Sequence, residues 1–475
     1  MNISFGTSGH RGIIGDSFTI EHVKAIAFAI ADLLKYGDTV IIGYDTREGN
    51  APTDTPSYTA TLAHCLQDKG IRAIVCDQPT PTPVISWAIR HYDYQGGIIL
   101  TASHNPPEYN GLKFNPANGA PAPKEITNRI ETLGNTYLES SITPGSYSLE
   151  ETNLDESFAE TIKETLTTYF PGTTLSKPVS IDTKHGACAP TWSAIGEACD
   201  ITFNIVHEAH RSDFGGIEPN PTDTKGLQEL QKKITITNAL CGIANDPDGD
   251  RHIVVDENGV PLTPEETTTI IADYFVSQGA PVDGIATTVA SSQLIKSFCK
   301  THSLKVYETA VGFKYFAPFI EASEEKSTLL FAVESSGGFS MSGHTLEKCG
   351  FLPGLLLAYI AESQKASISQ LKENILTKYG NFIFIEETFR YNEADKPTLQ
   401  SVFKAPNETD LKNTFNSIHS VDLTDGVKVV IDDSSWVLMR LSGTEPISRI
   451  YAESTSQDTS QSLIQHAKDF LNAQI

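Results

Sequence analysis

Gly96-Gly-Ile-Ile-Leu-Thr-Ala-Ser-His-Asn-Pro-Pro107 runs from an apolar strand into a polar loop. The strand, Gly97–Thr101, shows no polar alternation and reads as buried. Ser103, His104 and Asn105 follow in a loop held by Pro106 and Pro107. Open α/β sheets build their sites at strand carboxyl ends. Ser103 therefore reads either as an exposed nucleophile or as a serine that only caps a turn.

The same layout recurs on both sides. Val40–Tyr44 and Ala73–Cys76 read as buried strands, followed by helical patterns near Thr53–Lys69 and Pro83–Tyr92. Strands are then expected at Val179–Asp182, Thr202–Val206, Leu240–Asn245, Ile285–Val289, Lys305–Glu308 and Leu329–Val333. Such alternation predicts α/β layers with helix-covered sheets. From about Tyr379 the pattern changes to α+β. Strands are expected at Phe382–Thr388, Val427–Asp432 and Trp436–Arg440, and helices near Lys396–Lys404 and Gln457–Ala473. The expected blocks are 1–148, 149–257, 258–377 and a smaller 378–475, with Gly134–Asn153, rich in Ser, Thr, Pro and Gly, as a linker.

The formal net charge of −24 argues against nucleic acid and anionic membrane as partners. It also means that an anion site must gather its cations locally. The apolar stretch around Phe351–Ala361 contains Pro353 and Gly354 and falls short of the ~20 residues of a membrane span, so it reads as a buried helix. Met1-Asn-Ile-Ser lacks the basic start of a signal peptide. The seven cysteines form no C-x-x-C pair and read as reduced core thiols of a cytoplasmic protein.

Other strand ends carry chemistry too. Ile243-Ala-Asn-Asp-Pro-Asp-Gly-Asp-Arg251 delivers Asp246, Asp248 and Asp250 in one tight loop. Three carboxylates without His or Cys suit Mg²⁺ or Ca²⁺, and Arg251 could face a phosphoryl oxygen. Arg440-Leu-Ser-Gly-Thr-Glu-Pro446, with Ser448 and Arg449, offers amides, hydroxyls and two cations to a dianionic phosphate, or is a plain hairpin turn. Phe331-Ala-Val-Glu-Ser-Ser-Gly-Gly338 places Glu334 and Ser336 where they could bond sugar hydroxyls. Thr309-Ala-Val-Gly-Phe-Lys314 adds Gly312 and Lys314 as substrate candidates, and Phe5-Gly-Thr-Ser-Gly-His-Arg-Gly12 adds Arg11. Assembled, these parts suit a serine that accepts and returns a phosphoryl group beside a metal.

In this combination and order, the motifs resemble the α-D-phosphohexomutases, the phosphoglucomutase/phosphomannomutase family. The resemblance covers essentially the whole chain. It implies four domains around a central cleft, three related α/β domains with mixed sheets and a smaller α+β domain. It implies that phospho-Ser103 exchanges its phosphoryl group with glucose 1-phosphate or glucose 6-phosphate through glucose 1,6-bisphosphate, which also serves as activator. Mg²⁺ would be held by Asp246, Asp248, Asp250 and a phosphate oxygen on Ser103, with Arg11 and Arg251 positioning that phosphate. Lys113 matches the general acid/base candidate and His104 is the second. Glu334 and Ser336 would read the sugar hydroxyls, and Arg440, Ser442, Gly443, Thr444 and Arg449 would hold the non-reacting phosphate.

Leu441 stands where the family's phosphate loop has proline, Lys348-Cys-Gly350 where it often has Lys-Asp-Gly, and Ser335 where relatives carry a second carboxylate. Mannose and glucosamine phosphates are therefore alternative substrates. A metal-dependent phosphatase would need water at phospho-Ser103 and gains little from a second phosphate nest. A silent sugar-phosphate binder would be expected to lack Ser103 or an aspartate, and all are present.

Overall fold

In the computed structural model, which describes every residue except Met1, Thr7, Ser8, Asn416 and 443–445, Gly96–Leu100 is the fully buried middle strand of a seven-stranded sheet. Thr39–Tyr44 lies parallel to it and to Arg72–Cys76. Tyr109–Pro116 runs antiparallel on its other side and Gly9–Ile13 antiparallel beyond that. The sheet is therefore mixed, with helices Ile20–Ala31, Tyr58–Asp68, Thr82–His91 and Lys124–Leu138 in the same block.

Two expectations are corrected here. The helix expected from Thr53 begins at Tyr58, because Ser57 Oγ accepts the Ala60 amide at 3.0 Å and caps it there. The segment Gly134–Asn153 is not simply a linker. Gly134–Leu138 completes a helix, and Glu150–Thr152 joins the sheet edge parallel to Ile74–Cys76.

The second sheet has the order Pro261–Leu262, His252–Val255, Gly242–Asn245, Val179–Asp182, Phe203–Val206. Gly242–Asn245 and His252–Val255 are antiparallel, so the aspartate loop is the turn of a hairpin. Helix Leu352–Gln364 is buried all round from Leu352 to Ala361, as its uniform apolarity predicts. It packs on the strand that delivers the aspartates, where a Cβ on Gly354 would lie 2.5 Å from Ile243 Cδ1. Beside these, Leu329–Val333 pairs antiparallel with Phe339–Met341.

The chain divides into two compact units, Met1–Val282 with Phe313–Lys372, and Asp283–Gly312 with Glu373–Ile475. The second unit contains the parallel pairing of Gly284–Thr288 with Lys305–Thr309 and a five-stranded antiparallel sheet. That sheet runs Ile383–Arg390, Ile447–Ser454, Ser435–Leu441, Val427–Asp432, Ser420–Asp422. Its strands alternate as the twofold side-chain period requires. Val437, Met439, Ile450 and Ala452 face a core shared with Leu463, Ile464 and Phe470 of helix Gln457–Asn472. Trp436, Leu438 and Tyr451 face Val289 and Ala290. Among the described residues no helix is long and apolar enough to cross a membrane, and all seven cysteines are free.

Candidate active site

Ser103 sits two residues beyond its strand's neighbour Thr101, 1% exposed and in the left-handed region at φ 52°. A non-glycine residue there costs on the order of 1–2 kcal/mol and persists only where its surroundings over-determine it. Its amide donates to Thr101 Oγ1 at 2.8 Å. Its hydroxyl donates to Asp246 Oδ2 at 2.6 Å, and His104 Nδ1 lies 3.4 Å away. The nucleophile candidate and the first aspartate, 143 positions apart in the chain, are thus in direct contact. Arg11 reaches the same loop, donating from Nη1 to Asn105 Oδ1 at 2.6 Å.

Asp246, Asp248 and Asp250 are fully buried, and one oxygen from each lies within 4.8 Å of the others. Among the described residues, Asp248 Oδ1 and Asp250 Oδ1 have no hydrogen-bond partner. Buried, unpartnered carboxylate oxygens converging with no nitrogen or sulfur donor fit a hard divalent cation. Lys113 Nζ donates to Asp248 Oδ2 at 2.6 Å and Asp250 Oδ2 at 2.8 Å. Burial and its two aspartate neighbours push the Asp246 carboxyl well above the usual range. Against the opposing effect of burial, Lys113 helps hold Asp248 below it, and Lys113, Lys348 and Arg251 do the same for Asp250. Burial alone would lower the Lys113 pKa, yet Asp248 and Asp250 raise it, so the side chain stays an ammonium in this state.

Arg251 donates its amide to Asp246 Oδ1 at 3.0 Å, and its Nε is buried without a hydrogen-bond partner among the described residues. Its backbone bridges Gly338, which docks the Glu334–Gly338 turn on the aspartate hairpin. The next residue completes that joint. Burial lowers the His252 pKa to about 4, so the ring is neutral, and its Nδ1–H donates to Gly337 O at 2.7 Å. Glu334 is buried and Ser336 half-buried. The loop at Lys348-Cys-Gly350 needs no carboxylate at Cys349 for anchorage. Lys348 Nζ lies 3.1 Å from Asp250 Oδ2, the Cys349 amide donates to Phe339 O at 2.7 Å, and the Gly350 amide donates to Gly249 O at 3.0 Å. Lys314 lines a small cavity of about 20 Å³ with Lys113, Asn115, Glu347 and Lys348.

The 183–187 loop backs the aspartate hairpin. The Ala187 amide donates to Pro247 O at 2.7 Å, and a Cβ on Gly186 would lie 2.3 Å from Pro247 Cα. On its other side, Thr46 Oγ1 donates to His185 O at 3.1 Å.

The remaining candidates lie in the second unit, except that Gly443 and Thr444 fall outside the described residues. Arg440 and Arg449 are direct cross-strand partners. Like charges so placed repel unless anions intervene. Asp425 Oδ2 takes Arg440 Nε at 2.6 Å and the Val311 amide at 3.0 Å, while Glu386 Oε1 takes Arg449 Nη1 at 2.6 Å. Asp425 thereby ties the turn that contains Gly312 to Arg440.

Sequence reasoning missed Asp45, Arg47, Thr82 and the anchoring role of Lys348. Asp45-Thr-Arg47 had the usable signal, a charged pair at the carboxyl end of Thr39–Tyr44. Thr82, which donates to Asp248 Oδ2 at 2.7 Å, opens an ordinary helix and carried none.

Four family models match the chain in order. They are described as phosphoglucomutase/phosphomannomutase alpha/beta/alpha domain I at residues 2–140, domain II at 156–259, domain III at 263–379 and the C-terminal domain at 393–468. The chain is 30% identical to a phosphoglucomutase/phosphomannomutase of Thermococcus kodakarensis, across 98% of its own length and 97% of the relative's. It is 26% identical to a phosphoglucosamine/phosphogalactosamine mutase of Sulfurisphaera tokodaii, across 98% and 99%. Its fold is similar to that of a phosphoglucomutase/phosphomannomutase family protein from Burkholderia thailandensis, with TM-score 0.79, 21% identity and coverage of 100% and 98%.

Proposed function

The chain belongs to the phosphoglucomutase/phosphomannomutase family and is a phosphohexomutase, an enzyme of the isomerase class; within that class we propose that it interconverts glucose 1-phosphate and glucose 6-phosphate through phospho-Ser103. The observation that carries this reading is the 2.6 Å contact of Ser103 Oγ with Asp246 inside a buried three-carboxylate cluster.

In this reading a substrate hydroxyl oxygen attacks the phosphorus of phospho-Ser103. The new P–O bond forms as the bond to Ser103 Oγ breaks, giving glucose 1,6-bisphosphate. The hydroxyl's proton passes to a base, for which His104, 3.4 Å from Ser103 Oγ, is the candidate, while Lys113, held as an ammonium, is the candidate acid for the departing oxygen. After the bisphosphate turns over, the other phosphoryl group returns to Ser103 Oγ, and the site is restored. Mg²⁺, held by Asp246, Asp248 and Asp250, would neutralise charge on the transferring group when bound. Arg11 and Arg251 would orient the phosphoserine, and Gly312, Lys314, Glu334 and Ser336 would hold the substrate. Glucose 1,6-bisphosphate would prime the serine. The free cysteines suit a cytoplasmic setting.

The cross-strand Arg440 and Arg449 support a second anion site, with Ser442, Gly443 and Thr444 completing it. Two phosphate sites favour return of the group to a sugar over loss to water. Removing a charge-assisted contact costs about 1.5–3 kcal/mol. An Arg440→Ala variant is therefore expected to raise KM roughly 10–100-fold with kcat within about threefold. Initial rates against glucose 1-phosphate check this, and an unchanged KM would remove Arg440 from the substrate site.

The names of the relatives divide between glucose/mannose and glucosamine/galactosamine, which favours a phosphoglucosamine reading as the second. The test is a coupled assay with Mg²⁺ and a trace of the cognate 1,6-bisphosphate, run in parallel on glucose, mannose and glucosamine 1-phosphates. Glucose is expected to give the highest kcat/KM. A higher value for another sugar would overturn the glucose assignment. No turnover of any, in protein shown by mass to carry phosphate on Ser103, would overturn the mutase reading.

A further inference from the structure

We propose that the buried Asp45–Arg47 pair is a positioning device for the Ser103 nucleophile, an inference that rests on the mutase reading. Arg47 is 1% exposed, and its guanidinium lies 4.8 Å over the Phe214 ring. A guanidinium has five N–H donors in a fixed fork, and here each has an acceptor. Nε donates to Asp45 Oδ2 at 3.0 Å. Nη1 donates to Pro106 O and Tyr109 O, both at 2.7 Å. Nη2 donates to Ser103 O and Asn105 O, both at 2.7 Å. Four carbonyls of one loop thus converge on one cation, and their mutual repulsion becomes attraction.

Asp45 supplies the second arm. Its Oδ2 accepts from Thr101 Oγ1 at 2.6 Å, and that hydroxyl accepts the Ser103 amide at 2.8 Å. Its Oδ1 accepts from Asn50 Nδ2 at 2.9 Å, which fixes the carboxylate. The peptide groups on both sides of Ser103 are therefore tied to one ion pair. That holds the serine in its left-handed conformation with Oγ directed at Asp246. Neither Asp45 nor Arg47 touches the reacting atom; both act through the loop.

Lysine keeps the charge but offers three donors from a single point. Arg47→Lys leaves loop carbonyls unpaired and Ser103 loosely aimed. Misplacement by about 1 Å costs on the order of 10²-fold. The expected result is a kcat lowered about 10²-fold with KM within about threefold, because the sugar and distal phosphate are held elsewhere. Intact mass after incubation with glucose 1,6-bisphosphate should show slower phosphorylation of Ser103 than in wild type. Thr101→Val, nearly isosteric, cuts only the Asp45 arm and should lower kcat about 10-fold with Tm within a few degrees of wild type. It decides the matter should Arg47→Lys not fold. A folded Arg47→Lys with kcat within threefold of wild type overturns the proposal, as does a Thr101→Val variant with wild-type kcat. An inactive wild type that nonetheless shows slower Ser103 phosphorylation in both variants would overturn the mutase reading alone.

Discussion

Ser103→Ala is expected to lose mutase activity by a factor on the order of 10⁴ or more, the scale seen when a nucleophile acting with its partners is removed. His104 Nδ1 lies 3.4 Å from Ser103 Oγ, but it is the hydroxyl that donates to Asp246 Oδ2. The loop itself should survive the change, because its carbonyls stay on Arg47. A coupled assay together with a melting curve separates the two effects. The expected outcome is a Tm close to wild type, no detectable turnover, and no mass increment after incubation with the 1,6-bisphosphate. Full activity in this variant would sink the assigned mechanism.

Removal of divalent metal is expected to have the second largest effect. Protein stripped with EDTA should fall by about 10³-fold or more in kcat and recover when Mg²⁺ is restored. Asp248→Asn should reproduce much of the loss and require a higher Mg²⁺ concentration for half-maximal activity, since one of three convergent carboxylates is then neutral. Asp248 also accepts from Lys113 Nζ and Thr82 Oγ1. Breaking a buried ion pair costs about 3–5 kcal/mol. A melting curve in EDTA, where metal binding does not contribute, reads that structural cost separately from the activity. Activity that withstands EDTA unchanged would exclude a metal role for the aspartates.

Much of the fold was legible because buried strands announce themselves as apolar runs with a polar end. Val179–Asp182, Leu329–Val333 and Val427–Asp432 fall where those runs stand. Elements without such a run were harder. Glu150–Thr152 is a strand only because an edge of the first sheet is open to it, and nothing in Glu-Glu-Thr signals that. The start of Tyr58–Asp68 depends on which of several small polar residues caps it, a choice made by local geometry. Of the site, Ser103 and the aspartates stood out because reactive groups at strand ends form recognisable patterns. Arg47 did not, because its task is to bond carbonyls, and any carbonyl-rich loop can be its target. Thr82 and His252 serve through position alone, one at a helix start and one at a hairpin joint.

Gly186 bears on how this protein can evolve. Any side chain there would run into the backbone of Pro247, so the aspartate hairpin dictates the identity of a residue in a separate loop. The hairpin cannot drift unless that loop drifts with it. Gly350 imposes the same kind of lock, against the Gly249 and Arg251 carbonyls. Ser335 and Ser336 are different. They are half-buried on the turn carried by Gly337 and Gly338, and their side chains can change while the turn's backbone joint to Arg251 and His252 is kept. In the proposed mutase, side chains at these two serines can therefore change without moving the backbone joint to the aspartate hairpin.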